Sequence, residues 1–116
     1  MQETSRFNAD CCMKVVWTEF ALEEVLNTAQ YILDNFGVKT HENFLQQIAH
    51  FETLIALMPQ MGKKEPFLED ETIEYRSFVL TSVNKVVYYI EGDDVVIADF
   101  WNMRRSPKTL TDRLLT

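Results

Sequence analysis

The stretch Lys85-Val86-Val87-Tyr88-Tyr89-Ile90-Glu91-Gly92-Asp93-Asp94-Val95-Val96-Ile97-Ala98-Asp99-Phe100-Trp101-Asn102 decides the fold. Two runs of β-branched and aromatic residues flank Gly92-Asp93-Asp94, whose residue types suit a tight turn. They predict an antiparallel hairpin over Lys85 to Glu91 and Val95 to Asn102. Alternation sends Val86, Tyr88 and Ile90 one way and Val87 and Tyr89 the other. Extended straight through the second run, it sets Val95, Ile97 and Trp101 against Val96, Ala98 and Phe100. Both faces of the hairpin therefore carry apolar groups.

Upstream, Thr72 to Leu80 reads as a further strand, joined to the hairpin through Thr81-Ser82-Val83-Asn84. Gln60 to Asp70, with Gly62, Lys63, Lys64 and Pro66, reads as a loop. Before it come two amphipathic helices. Thr18 can cap the first, whose apolar stripe is Leu22, Val25, Leu26, Ala29, Ile32, Leu33 and Phe36, and Gly37 ends it. The second starts near Thr40 and carries Phe44, Ile48, Phe51, Ile55 and Met58 on one face, widened by Leu45 and Leu57. Pro59 stops it. The short connection folds the two into an antiparallel pair. Met13 to Trp17 is a short strand ahead of them. The order β-α-α-β-β-β predicts an α+β domain with a helical hairpin packed on a mainly antiparallel four-stranded sheet. One hairpin covers one sheet face, leaving the other to the chain's tail, a second copy or a partner.

With 116 residues the chain is one domain's worth. Residues 1–12 show no core pattern and read as an N-terminal extension, dispensable if Met13 is an alternative start; residues 13–116 form the single domain. No apolar run is long enough to span a bilayer, and the start lacks a signal peptide's apolar stretch. Cys11 and Cys12 are adjacent and read as free thiols of a reducing compartment, so the expectation is a cytoplasmic protein. Net charge is −7, against binding nucleic acid over the whole surface. The charge is uneven. Glu19 to Met58 holds six acids and one base, Lys39, whereas Phe100 to Thr116 holds four bases against Asp112 alone.

Several segments, in order, carry a resemblance. Val15-Val16-Trp17-Thr18-Glu19-Phe20-Ala21, Tyr31-Ile32 with Phe36-Gly37, and Pro59-Gln60-Met61-Gly62 come first. Tyr75-Arg76, Val87 to Ile90, Gly92 to Ile97 and Arg104-Arg105-Ser106-Pro107 follow. Together they resemble the RelE/ParE toxin superfamily over about residues 13 to 110. The ending is similar to that of the ParE branch, except that Ser106 stands where an acid is usual. The resemblance implies a toxin of a type II toxin–antitoxin pair, with a cognate antitoxin as partner. ParE-like members poison DNA gyrase by binding; RelE-like members are ribosome-dependent mRNA endonucleases. It also leaves open a homodimer, or a hetero-oligomer with the antitoxin.

RNA cleavage needs a proton acceptor, a proton donor and positive charge around one phosphate. Arg76, Lys85, Arg104 and Arg105 are the candidates for that charge. No Tyr follows Tyr89 to supply the C-terminal tyrosine of RelE-like nucleases, and an acidic chain is repelled by rRNA. His41 and His50 read as helix-surface residues. Neither a metal-ligand spacing nor a phosphate-cradling glycine loop is present, so no metal or cofactor is expected. The leading expectation is a ParE-like toxin acting by binding, with Arg104, Arg105 and Trp101 as target-binding candidates. The alternatives are the mRNA endonuclease and a non-toxic binding module on the same scaffold.

Overall fold

The computed structural model describes residues 13–65 and 73–102. The boundary drawn at residues 1–12 lies outside them. The elements are β1 (Lys14–Trp17), α1 (Glu19–Phe36), α2 (Val38–Leu57), β2 (Lys63–Lys64), β3 (Arg76–Val79), β4 (Asn84–Glu91) and β5 (Asp94–Asn102). They build a sheet in the order β1-β5-β4-β3-β2, with β1 parallel to β5 and the other pairs antiparallel.

Thr18 fastens the first helix to the sheet. Its hydroxyl accepts from Ala21 N–H at 3.1 Å, capping α1, and donates to the Ala98 carbonyl at 3.4 Å. Its own N–H donates to Ile97 O at 3.1 Å, extending the β1–β5 ladder by one residue. Ala21, Val25 and Ala29 then recur at four-residue steps and are buried. Gly37, at φ 92°, serves as the last cap of α1 and the first of α2, a conformation that costs a side-chain-bearing residue dearly. A one-residue connection results, and α2 starts two residues earlier than the sequence suggests. Phe44, Phe51 and Ile55 carry its buried face. Phe44 meets Phe100 edge-on at 5.9 Å, and Phe51 lies 5.3 Å from Phe78. Helix residues, together with Val86, Tyr88, Val95, Ile97 and Phe100, form the main core.

Three expectations need correction. The sheet has five strands, because Lys63–Lys64 leaves the predicted loop to pair with β3, Lys63 opposite Ser77 and Lys64 opposite Arg76. Two exposed lysines carry no strand signature of their own, and so short a charged edge discourages pairing with a further chain. The α1 stripe is also narrower than read: Leu22, Leu26 and Phe36 are exposed, since the hairpin has a sheet on one side only. Last, the straight alternation along β5 fails. Val87 pairs with Asp99 but Tyr88 pairs with Ile97, so Ala98 is the extra residue of a β-bulge. Beyond it the faces swap. Phe100 joins Val95 and Ile97 under the helices, and Trp101 turns to the opposite face with Tyr75, Val87 and Ala98.

Candidate functional site

On the helix side, Pro59 ends α2 and the chain turns beneath β4. Tyr88 has core parity in that strand, so its hydroxyl must find partners inside. It donates to Pro59 O at 2.8 Å and accepts from Gly62 N–H at 2.9 Å. Arg76 is the Cα partner of Tyr88 across the sheet. Its Nη1 donates to Gly62 O at 2.8 Å and its Nη2 pairs with Glu74 at 3.0 Å. The guanidinium is thus engaged in holding the turn that follows α2. Burial raises the Tyr88 hydroxyl above its ordinary 10.0, while the Gly62 bond and the Arg76 charge pull it back.

That shift sets a pH test. A group whose folded value is raised stabilises the protein below the unfolded value and loses that contribution as pH climbs through the folded one. Tyr88→Phe is expected to cost about 1–3 kcal/mol near neutrality, because Pro59 O and Gly62 N–H lose their partner. The gap between the variant and the parent should narrow above pH 10, the ordinary tyrosine value. Urea unfolding at pH 8 and at pH 10.5 measures it; a constant gap would refute the assignment.

Lys85 lies on the other face, as the cross-strand partner of Trp101. Its ammonium reaches Glu65 Oε2 at 2.7 Å, and Glu65 is almost wholly buried. A buried carboxylate without its cation would be costly, so Lys85 is tied to this role. Arg76 and Lys85 thus sit on opposite faces, one paired with the exposed Glu74 and the other with the buried Glu65, and do not converge on one phosphate. Trp101 is only 2% exposed and packs in the smaller apolar cluster. Arg104 and Arg105 lie outside the described residues. Sequence reasoning missed Glu65, placed in a loop where a carboxylate is ordinarily solvated. It also missed the Tyr88 hydroxyl, for which a tyrosine in a core-parity position was the available signal.

Among the described residues, the helical hairpin carries most of the exposed large apolar groups. Leu22, Leu26, Phe36 and Leu45 are exposed on it, and Tyr31 packs edge-on against Phe36 at 6.2 Å. Glu19, Glu23, Glu24 and Asp34 stand on α1 without a single base, and α2 adds Glu42 and Glu52. Glu52 is engaged, accepting from Trp17 Nε1 at 2.6 Å. An apolar surface with acidic margins is suited to a partner that brings apolar anchors and positive charge. Among the described residues no three His, Cys, Asp or Glu side chains come together as a metal site, and no helix is long and apolar enough to cross a membrane.

The arrangement, a helical hairpin on one face of a mainly antiparallel sheet with a parallel first strand at one edge, is shared with solved structures from toxin–antitoxin systems. A solved chromosomal ParDE system from P. aeruginosa matches with a TM-score of 0.63 at 14% identity, over 78% of this chain and 96% of that one. A YoeB/ParE toxin from Agrobacterium tumefaciens matches at 0.54 and 18% identity, over 78% and 98%. The YoeB dimer from Staphylococcus aureus gives 0.50 and 15%, over 76% and 93%. At such identities these structures establish the fold. No curated protein matches in sequence. The model of the family described as the ParE toxin of the type II toxin–antitoxin system parDE matches residues 15–107. The chain belongs to that family, within the RelE/ParE superfamily.

Proposed function

We propose that this protein is the toxin of a type II pair, acting by binding its target, DNA gyrase, and silenced by a co-encoded antitoxin. The observation that carries this reading is the exposed apolar surface of the helical hairpin, with acids at its margins. An antitoxin segment, disordered alone, lays apolar anchors there and brings Lys or Arg to the rim. The placement of Arg76 and Lys85 on opposite faces, each beside a carboxylate, favours binding over RNA cleavage, since the two cations do not converge on one phosphate. Arg104 and Arg105 carry the contact to the target in this reading.

Inducing the chain without its neighbouring gene is expected to arrest growth and to inhibit supercoiling by gyrase. Co-expression with the neighbour should restore growth. The double variant Arg104→Glu, Arg105→Glu should lower toxicity at least tenfold and leave thermal unfolding unchanged. Undiminished arrest would remove the pair from the mechanism. Cleavage of translated mRNA, seen by primer extension with gyrase unaffected, would replace this reading with the endonuclease.

A further inference from the structure

Two cations meet on the helix-facing side of the sheet, beside the turn that follows α2. Lys64 in β2 is the Cα partner of Arg76 in β3, and Arg76 is that of Tyr88 in β4. At the next position Glu65 N–H donates to Tyr75 O at 2.8 Å. Hydrogen-bonded and non-hydrogen-bonded pairs alternate in such a ladder, so Lys64 and Arg76 form the kind in which side chains stand closest. Like charges placed opposite each other cost stability unless an anion joins them. With Gln60, Glu74 and Ile90 the two line an open cleft of about 380 Å³.

Arg76 is anchored there but only partly used. Its Nη1 donates to Gly62 O at 2.8 Å and reaches Gln60 O at 3.5 Å, while Nη2 meets Glu74 at 3.0 Å. Its Nε–H and the second Nη2 proton have no acceptor among the described residues. Lys64 is exposed, and its ammonium has no partner among the described residues. Against these two cations stands one carboxylate, that of Glu74, whose side chain is 55% exposed. An ion pair so open to water is held weakly, and another carboxylate can replace it at little cost.

We infer that this cleft binds a partner's peptide segment through an acidic side chain flanked by aliphatic ones, with Glu74 as the placeholder. The incoming carboxylate takes the Nε–H and Nη2–H edge of Arg76, a two-bond fit that guanidinium groups favour, and bridges to Lys64. Ile90, at 36% exposure, meets an aliphatic neighbour. Arg76 already pairs with a carboxylate, and the Glu74 charge opposes a phosphate dianion more than a singly charged group. Such a segment is opposite in charge to one suited to the acidic hairpin. Its binding does not depend on which target or antitoxin the hairpin serves.

The test is NMR titration of the full-length protein with acetyl-Leu-Glu-Leu-amide, with its Gln counterpart and with inorganic phosphate. The Glu peptide is expected to bind saturably, to shift the signals of Lys64, Arg76 and Ile90, and to weaken in high salt. The Gln peptide and phosphate should each bind more weakly. Lys64→Ala should weaken the Glu peptide about two- to fivefold, the worth of one exposed charge, and leave thermal unfolding unchanged. Glu74→Gln should tighten it by a similar factor, a gain that only the removal of a competitor gives. Arg76 stays untouched, since it also holds the turn at Gly62. Absence of saturable shifts, equal binding of the Gln peptide, or no gain from Glu74→Gln overturns the proposal. Phosphate binding more tightly than the Glu peptide overturns it in favour of a phosphate site.

Discussion

Deleting Ala98 is expected to abolish cooperative unfolding, whereas Ala98→Gly should leave it intact. The bulge at Ala98 is the only reason Phe100 sits under the helices and Trp101 on the opposite face. Side chains on a strand alternate with a strict period of two, so removing one residue forces one half of β5 to turn over. If the C-terminal half turns, Phe100 leaves its edge contact with Phe44 and Trp101 is driven into the main core. If the N-terminal half turns, Val95 and Ile97 leave that core instead. Losing a buried Phe alone costs about 3–5 kcal/mol, and a small domain has only about 5–15 kcal/mol in total. Ala98→Gly keeps the residue count, so its cost should stay near 1 kcal/mol. Urea unfolding followed by circular dichroism separates the two. A deletion variant that unfolds as cooperatively as the parent would show that the bulge is dispensable.

The second large effect is expected at Gly62. Gly37 and Gly92 need their freedom for a positive φ, but Gly62 is needed for close approach. A Cβ there would lie 2.5 Å from the Tyr88 hydroxyl, 2.7 Å from Ser77 O and 2.9 Å from Tyr88 Cε1. The Tyr88 ring is fixed in the core and Ser77 O belongs to the backbone of β3, so neither can move aside cheaply. Gly62→Ala should destabilise the protein by about 3–5 kcal/mol, overpacking combined with loss of the bonds around the turn. The melting temperature should fall on the order of 10 °C or more. Adding Tyr88→Phe removes one of the three clashes and leaves the ring carbon and the carbonyl, so it should not rescue. Recovery in the double variant would place the strain on the hydroxyl alone.

These two sites mark where sequence reading stops. Apart from β2, the elements and their order were legible because the signals are local. Val, Ile and Tyr alternate about Gly92-Asp93-Asp94, and apolar residues recur at helical spacing after Thr18. Gly37 and Pro59 punctuate those helices in recognisable ways. The resemblance to the toxin superfamily rested on the same short segments, and the family match over residues 15–107 agrees with it. Of the candidate site, Arg76 and Lys85 could be named as cations, but not as cations already engaged.

What a strand pattern encodes is the direction of each side chain relative to its own neighbours in the chain. The sequence by itself thus determined helix, strand, turn and the acidic character of the hairpin. Tertiary structure decided the rest, because it depends on what stands opposite. Pairing of Val87 with Asp99 creates the bulge that reverses Phe100 and Trp101. Pairing with β3 makes a strand of Lys63–Lys64, and Lys85 finds Glu65 across 20 positions of chain. Leu22 and Leu26 are left to solvent because no second layer covers them, although their spacing is that of core residues. Periodicity tells which face a residue shares; only the assembled layers tell whether that face is covered.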